Sequence, residues 1–319
     1  MASVPRRQSL GDLERRLIGA LLVDGRASWR AIAAALEEPE RTIARRGAEL
    51  IASGVVRVTG TRPRGTSIVV RAKSAPGMVR VATRALASRP DSTFAYVLTG
   101  ASDSVCELFC PPQQMADLIT EDLPGTPGIL SSTTMPVLRY FKTVHDWQPG
   151  LVSDAVVRSL RVDPLAEAAT RHDAPLDDVD DAIQAALARD GRASFADLGA
   201  AAGVSEVTAR RRLDVLRSTG RTFIRAVVDP ADIGLPVEAL LWLRASPHEI
   251  ESVGRALAAE PRVRYVAALL GEYQLLVDVT QPSIEALQRF IGGPWSASIA
   301  AMDSSLVVKA MKRSGVAYS

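Results

Sequence analysis

The five residues Asp24-Gly25-Arg26-Ala27-Ser28 return unchanged as Asp190-Gly191-Arg192-Ala193-Ser194, 166 positions later. The register holds around them without a gap. Leu10 aligns with Leu176, Asp12 with Asp178, Thr42 with Thr208, Arg45-Arg46 with Arg211-Arg212, Leu50 with Leu216 and Gly54 with Gly220. A second register, of 171 positions, takes over downstream. There Ala85-Leu86-Ala87, Pro90 and Gly100 align with Ala256-Leu257-Ala258, Pro261 and Gly271. A self-match at fixed period constrains the architecture before any residue is interpreted: one two-part unit is written twice.

The first part of each unit reads as three short helices. Over 10–54, Leu13, Leu17 and Leu21 recur every fourth position with Ile18 and Leu22 beside them, the stripe of an amphipathic helix. Gly25 ends it. Ser28 caps a second helix with Trp29, Ile32, Ala33 and Leu36 inward, and Pro39 opens a third at its first turn. Ile43, Gly47 and Leu50 face inward there, and Gly54 stops it. The copy repeats the logic with Val179, Ile183 and Leu187. A Ser194/Asp197 capping box precedes Leu198, and Ser205 caps a helix packed by Ala209, Leu213 and Leu216 and ended by Gly220.

Three helices in such a span, the last two joined by a very short turn, form the helix-turn-helix pattern, whose third helix enters the DNA major groove. The third helix would present Glu40, Arg41, Thr42, Arg45 and Arg46 in the first copy. In the second it would present Ser205, Glu206, Thr208, Arg210, Arg211 and Arg212. Arginine pairs with phosphates and forks onto guanine O6/N7, and hydroxyls reach phosphates or base edges. Charge placement agrees. Residues 6–71 hold 13 Arg against seven acids, and 203–225 hold six Arg against Glu206 and Asp214, whereas the whole chain is only +2. The alternative is a small bundle with a solvated arginine face, in a chain with only four Lys among 38 basic residues. Gly47 then marks either a degraded copy or close packing. After each third helix a β-prone run, 55–58 and 223–228, reads as a wing or a connecting strand, with Arg57, Arg62, Arg64, Arg221 and Arg225 as further phosphate contacts.

The second part reads as βαββαβ, the ferredoxin-like plan. In the second copy the elements are expected at 237–245, 247–260, 263–270, 274–280, 283–292 and 299–311. In the first they are expected at 67–73, 76–88, 93–98, 104–110, 113–122 and 129–142. Helices on one side leave the other sheet face bare, and two such faces can cover each other. The fold class is therefore α+β: two winged or helix-turn-helix domains (8–60 and 175–228) alternating with two ferredoxin-like sensing domains (64–145 and 235–314). A linker over 146–174 includes a helical stretch at Val162–Arg171 and is read as a flexible chain that lets the two sensing domains meet.

In this order and spacing the chain resembles the Lrp/AsnC family of transcription regulators. The residues that carry the likeness are Leu176-Asp177-Asp178-Val179-Asp180, Asp190-Gly191-Arg192, Gly203-Val204-Ser205, Asp229-Pro230 with Gly234, and Gly271-Glu272-Tyr273. The resemblance covers nearly the whole chain outside roughly 146–174. It implies that the βαββαβ parts sense effectors and assemble oligomers. It also implies that an amino acid or similar small metabolite binds near the glycine hairpins, at Gly271, Glu272 and Tyr273 and, in the other copy, at Gly100, Ser102 and Asp103. A typical member has one copy, whereas this chain is a fused tandem. The first copy lacks the Asp-Pro pair and carries Glu37 where the second has Gly203.

The expected partners are double-stranded DNA, a small-molecule effector, the chain's own second copy and further copies of the chain. No cofactor, metal or membrane is expected. Cys106 and Cys110 read as reduced core thiols, and the opening residues carry no secretory signal, so the expected compartment is the cytosol. No phosphate loop, Ser/His/Asp order or metal spacing is visible, so the reading is not an enzyme. Two rivals remain. One is a siroheme decarboxylase-like enzyme of similar layout, using His248 and arginines of the sensing domains. The other is a sensing or assembly module that does not bind DNA.

Overall fold

The computed structural model describes residues 10–62, 65–161 and 176–318. Chain order begins with helices α1 (Asp12–Val23), α2 (Trp29–Leu36) and α3 (Glu40–Ala52) and strand β1 (Val56–Thr61). The first sheet module follows as β2 (Ser67–Ser74), α4 (Val79–Ser88), β3 (Ser92–Leu98), β4 (Ser104–Phe109) and β5 (Ile129–Lys142). After helix α5 (Asp154–Leu160) come α6 (Asp178–Arg189), α7 (Phe195–Ala202), α8 (Glu206–Ser218) and β6 (Phe223–Val228). The second sheet module is β7 (Val237–Ala245), α9 (Ile250–Ala259), β8 (Val263–Leu269), β9 (Leu275–Gln281), α10 (Ile284–Ile291) and β10 (Ile299–Arg313), with a short β11 (Val316–Ala317). The chain divides into two units, one holding both three-helix heads and the other both sheet modules.

In the helical unit each head packs on the stripe read from sequence. Leu17, Ile18, Leu21, Ile32, Ile43 and Leu50 are buried in the first head, and Ile183, Leu187, Leu198, Leu213 and Leu216 in the second. Ser28 Oγ accepts from Ala31 N at the start of α2, and Ser194 and Asp197 close a capping box at the start of α7. Pro39 stands one position earlier than expected. It is the cap residue of α3, extended at φ −62° and ψ 131°, and the helix begins at Glu40. The turn before the third helix needs a left-handed residue in both heads. Gly203 adopts it at φ +67°, and Glu37 is forced into it at φ +56°. Gly47 is a packing requirement, since a Cβ there would stand 2.4 Å from the Trp29 ring.

The β-prone runs are not wings. β1 and β6 pair antiparallel with each other, Val58 opposite Ala226, so the connecting strands of the two heads form one two-stranded sheet. The expected flexible linker is also corrected over its first part. Within the helical unit, α5 is capped by Ser153, and its Leu160 is buried. Just before it, Leu151 and Val152 press on Gly19 of α1. Apolar side chains at 151, 152 and 160 give this stretch a surface to bury. The expected helix Val162–Arg171 lies outside the described residues.

In the sheet unit, each module has the strand order of a ferredoxin-like fold, and the two close on each other. The order β10-β3-β4-β2-β5-β8-β9-β7 returns to β10 through the β10–β7 pairing, with β11 beside β10. The long strands make the closure. β5 pairs with β2 of its own module through Ile129–Pro136 and then with β8 of the other through Val137–Lys142. β10 does the same with β7 and then β3. The bare faces meet inside the ring, where Val69, Phe94, Tyr96, Leu98, Val105, Met135, Leu240, Trp242, Tyr265 and Leu276 form one core from both modules. The helices cover the opposite faces over two separate cores. The helix expected at 113–122 is an irregular run over 112–122, passing from 3-10 geometry through a single α turn into π geometry. Cys106 and Cys110 share the helix-side core of the first module as free thiols, and burial raises the pKa of Cys106.

Candidate nucleic-acid interface and sensing cluster

α3 and α8 turn comparable faces outward. Glu40, Arg41 and Arg45 are exposed in one, and Ser205, Glu206, Arg210 and Arg211 in the other, with Thr42 and Thr208 half-buried. The second arginine of each duplicated pair has a different task. Arg46 lies 3.4 Å from Glu14 of α1. Arg212 lies 3.3 Å from Asp180 of α6 and 2.8 Å from Asp177. Glu14 and Asp180 are equivalent in the 166-residue register, so each head ties its third helix to its first by the same ion pair. This corrects the expectation that both members of each Arg-Arg pair face outward: within the pairs, Arg45 and Arg211 face away, as Arg41 and Arg210 also do. Arg45 pairs with Glu49 at 2.8 Å on its own helix. Arg210 rests 4.2 Å from the Phe195 ring and 3.7 Å from Glu206. Ser205 Oγ caps α8 by accepting from Thr208 N at 3.2 Å. Of the further phosphate contacts expected, Arg225 is buried at 5% exposure, which removes it from that role. Arg62 reaches Asp181 of the other head at 2.9 Å. Arg57 is exposed and Arg221 half-buried. Arg64 lies outside the described residues.

The exact five-residue repeat is the joint between the heads. Arg192 donates to the backbone carbonyls of Gly25 and Ala27 at 2.7 and 3.1 Å and stacks 4.0 Å from the Trp29 ring. Arg26 donates to the carbonyl of Gly191 at 2.9 Å and stacks 4.7 Å from the Phe195 ring. Trp29 and Phe195 are equivalent positions, so the exchange is reciprocal. Asp24 and Asp190 accept from the Arg26 and Arg192 backbone N–H two residues on, fixing both turns. The glycines are needed for approach. A Cβ on Gly25 would stand 2.8 Å from the Arg225 backbone, and one on Gly191 would stand 2.8 Å from Val58.

In the sheet unit the two expected hairpin sites become one cluster. Arg71 of β2, which the sequence reading missed, donates from Nε to Ser102 Oγ at 3.0 Å and from Nη2 to Asp303 Oδ2 at 2.6 Å. Its guanidinium lies 4.5 Å from the Trp242 ring and 5.6 Å from the Tyr273 ring. Ser102 of the first hairpin and Tyr273 of the second therefore share one cation. Asp303 and Ser305 of β10 stand opposite Trp242 and Leu240 of β7 and so share the inward face. Trp242 Nε1 and Ser305 Oγ are buried without a hydrogen-bond partner. Around this cluster, Glu272 pairs with Arg244 at 2.7 Å, and Asp103 accepts from Ser74 N at 2.7 Å. Gly100 bends at φ +93° against Ser305, and Gly271 packs on Met135. A cation interrupting an apolar strand was the available signal for Arg71.

A second set of charges is fully buried within this unit. Glu238 accepts from Arg313 at 2.5 Å and Arg264 at 2.7 Å, and Asp278 lies 3.3 Å from Arg264. Burial opposes ionisation of Glu238, but Arg313 and Arg264 prevail and hold it down at about 2. For Asp278, burial and then the Glu238 charge push the carboxyl up to about 7. Its equivalent in the 171-residue register, Glu107, is satisfied by hydroxyls, accepting from Tyr140 at 2.8 Å, Tyr265 at 2.9 Å and Ser67 at 3.2 Å. Among the described residues no group of three His, Cys, Asp or Glu is arranged to hold a metal, and no helix is long and apolar enough to cross a membrane. His248 is 78% exposed and lies 3.8 Å from Glu249. His172 lies outside the described residues.

Two family profiles match the second copy: the AsnC-type helix-turn-helix domain over residues 176–217 and the Lrp/AsnC ligand binding domain over 238–317. The chain is similar to the HTH-type transcriptional regulator PH0140 of Pyrococcus horikoshii, 31% identical over 118 residues that span 36% of this chain and 74% of that protein. It is also similar to the HTH-type transcriptional regulator FL11 of the same organism, 28% identical over 119 residues, 37% of this chain and 78% of that one. Among solved structures, the siroheme decarboxylase NirDL superposes at a TM-score of 0.60 and 14% identity, over 97% of this chain and 94% of that chain. Its complex with an iron-uroporphyrin III analogue gives 0.61 at 15% identity. At such identity the likeness concerns the fold, in which both copies lie in one chain.

Proposed function

The chain belongs to the Lrp/AsnC family, and on that premise we propose that it is a sequence-specific, metabolite-responsive regulator that grips double-stranded DNA with both heads. The observation that carries this reading is the outward placement of Arg45 and Arg211 at equivalent points of two third helices. Arg41, Thr42, Ser205, Glu206, Thr208 and Arg210 complete the contact faces, while Arg46 and Arg212 hold those faces in place. Two heads joined about a shared two-stranded sheet suit two half-sites on one duplex. The effector is a small metabolite such as an amino acid, held where Ser102 and Tyr273 converge on Arg71. Its carboxylate would compete with Asp303 for the guanidinium. A ligand that favours one arrangement of the hairpins shifts the population of DNA-binding states. The exposed Leu130, Leu138, Met302 and Val308 on the two long strands support self-association of the fused pair.

Duplex binding by the full chain, measured across salt concentrations, tests the central claim. Affinity is expected to fall about a hundredfold or more between 50 and 200 mM salt as several phosphates release counterions. R45A together with R211A is expected to weaken binding. A salt-insensitive affinity, or none, rejects the reading. A second reading, a siroheme decarboxylase-like enzyme, draws on the fold likeness over nearly the full chain. Anaerobic incubation with siroheme under reducing conditions, followed by chromatography, separates the two: turnover without duplex binding selects the enzyme.

A further inference from the structure

The two third helices differ at an outward position of their first turn in a way their packing does not require. α3 and α8 start at equivalent residues, Glu40 and Glu206, and the next position is Arg41 in one and Val207 in the other. Both side chains are exposed. Val207 is 77% exposed, the most exposed of the large apolar side chains among the described residues, and belongs to none of the described apolar cores. Arg41 has no ion pair among the described residues. The neighbouring outward positions are shared: Glu40 and Glu206, Thr42 and Thr208, Arg45 and Arg211. In the first turn the two helices therefore differ at positions 41 and 207, at the helix end whose residues meet base edges in this motif. Further along, Ala44 is replaced by Arg210, which rests against Phe195 and Glu206 of its own head.

We propose that positions 41 and 207 make the two half-sites unequal at the equivalent base pair that they meet. Arg41 forks onto guanine O6 and N7, and Val207 packs on the thymine methyl, the only apolar group that the major groove displays. The preferred duplex is then a broken palindrome, with guanine in one half and thymine at the equivalent pair of the other. One bound orientation follows, so the chain is polar on its site. A homodimer of single-copy chains has identical heads and lacks this polarity. This inference rests on the reading of the third helices as DNA-contacting and adds the direction in which they read.

The test is selection of a randomised double-stranded DNA library by the full chain, by V207R and by R41V. Both substitutions fall on exposed side chains, and thermal unfolding checks that each variant folds as the parent does. The parent is expected to select two half-sites that differ at that pair, guanine against thymine. V207R is expected to turn the thymine into guanine and R41V the guanine into thymine, each restoring symmetry at that pair. On defined duplexes each swap is expected to reverse a roughly tenfold preference. A parental site already palindromic at that pair, or variants selecting the parental sequence, overturns this proposal and leaves the regulator reading standing. Absence of any selected duplex, with folding intact, overturns both.

Discussion

Glu37 shows what divergence between two copies does at a single residue. The turn demands a left-handed residue, glycine supplies it in the second head, and Glu37 accepts the strain in the first. A left-handed conformation costs a side chain roughly 1–2 kcal/mol, part of which glycine returns through greater unfolded-state freedom. E37G is therefore expected to stabilise the first head by about 0.5–1 kcal/mol, read by thermal unfolding without DNA; a lower melting temperature contradicts the strain account. Arg46 and Arg212 teach a related lesson. In sequence they were indistinguishable from their neighbours Arg45 and Arg211. Helical phase puts the second member of each pair toward the acid of the first helix and leaves the other facing out. Arg71 escaped notice because its partners Ser102, Trp242, Tyr273 and Asp303 are scattered through the chain and meet only across the ring.

At the scale of elements, the caps and stripes were legible because they act over three or four residues. The Ser28, Ser194 and Ser205 caps and the apolar stripes of α1 and α6 stand where local rules put them. The fate of β1 and β6 was not legible, since a strand's partner is set by distant chain. The reciprocal arginine exchange beside that pairing gives a measurable asymmetry. Arg192 has two carbonyl partners and the closer ring, and Arg26 has one carbonyl and the more distant ring. R192A is expected to destabilise the helical unit by about 2–3 kcal/mol and R26A by about 1–2, following the strength of charge-assisted hydrogen bonds and cation–π stacking. Calorimetry of the full chain separates them; equal effects reject the exchange as drawn.

For the molecule as a whole, the ring of two modules carries a pH signature. Asp278 is protonated more readily in the folded state, at about 7 against an unfolded 3.8, so its contribution to stability is fully present below about pH 4 and lost as pH rises through 7. Glu238, held at about 2 by Arg313 and Arg264, contributes above its unfolded 4.5 and loses that contribution as pH falls through 2. D278N is expected to flatten the decline between pH 4 and 7 while leaving the acid limb in place, as followed by unfolding across pH; an unchanged profile rejects this assignment. The amino-acid sequence by itself determined that one helical head and one βαββαβ module occur twice, because periodicity, caps and a fixed self-match are local and survive divergence. Only the tertiary structure decided that the connecting strands pair with each other, that the long strands close the modules into a ring, and that two hairpins converge on one arginine. Those outcomes depend on which apolar faces and backbone edges find each other across more than a hundred residues, where spacing along the chain carries no record of distance in space.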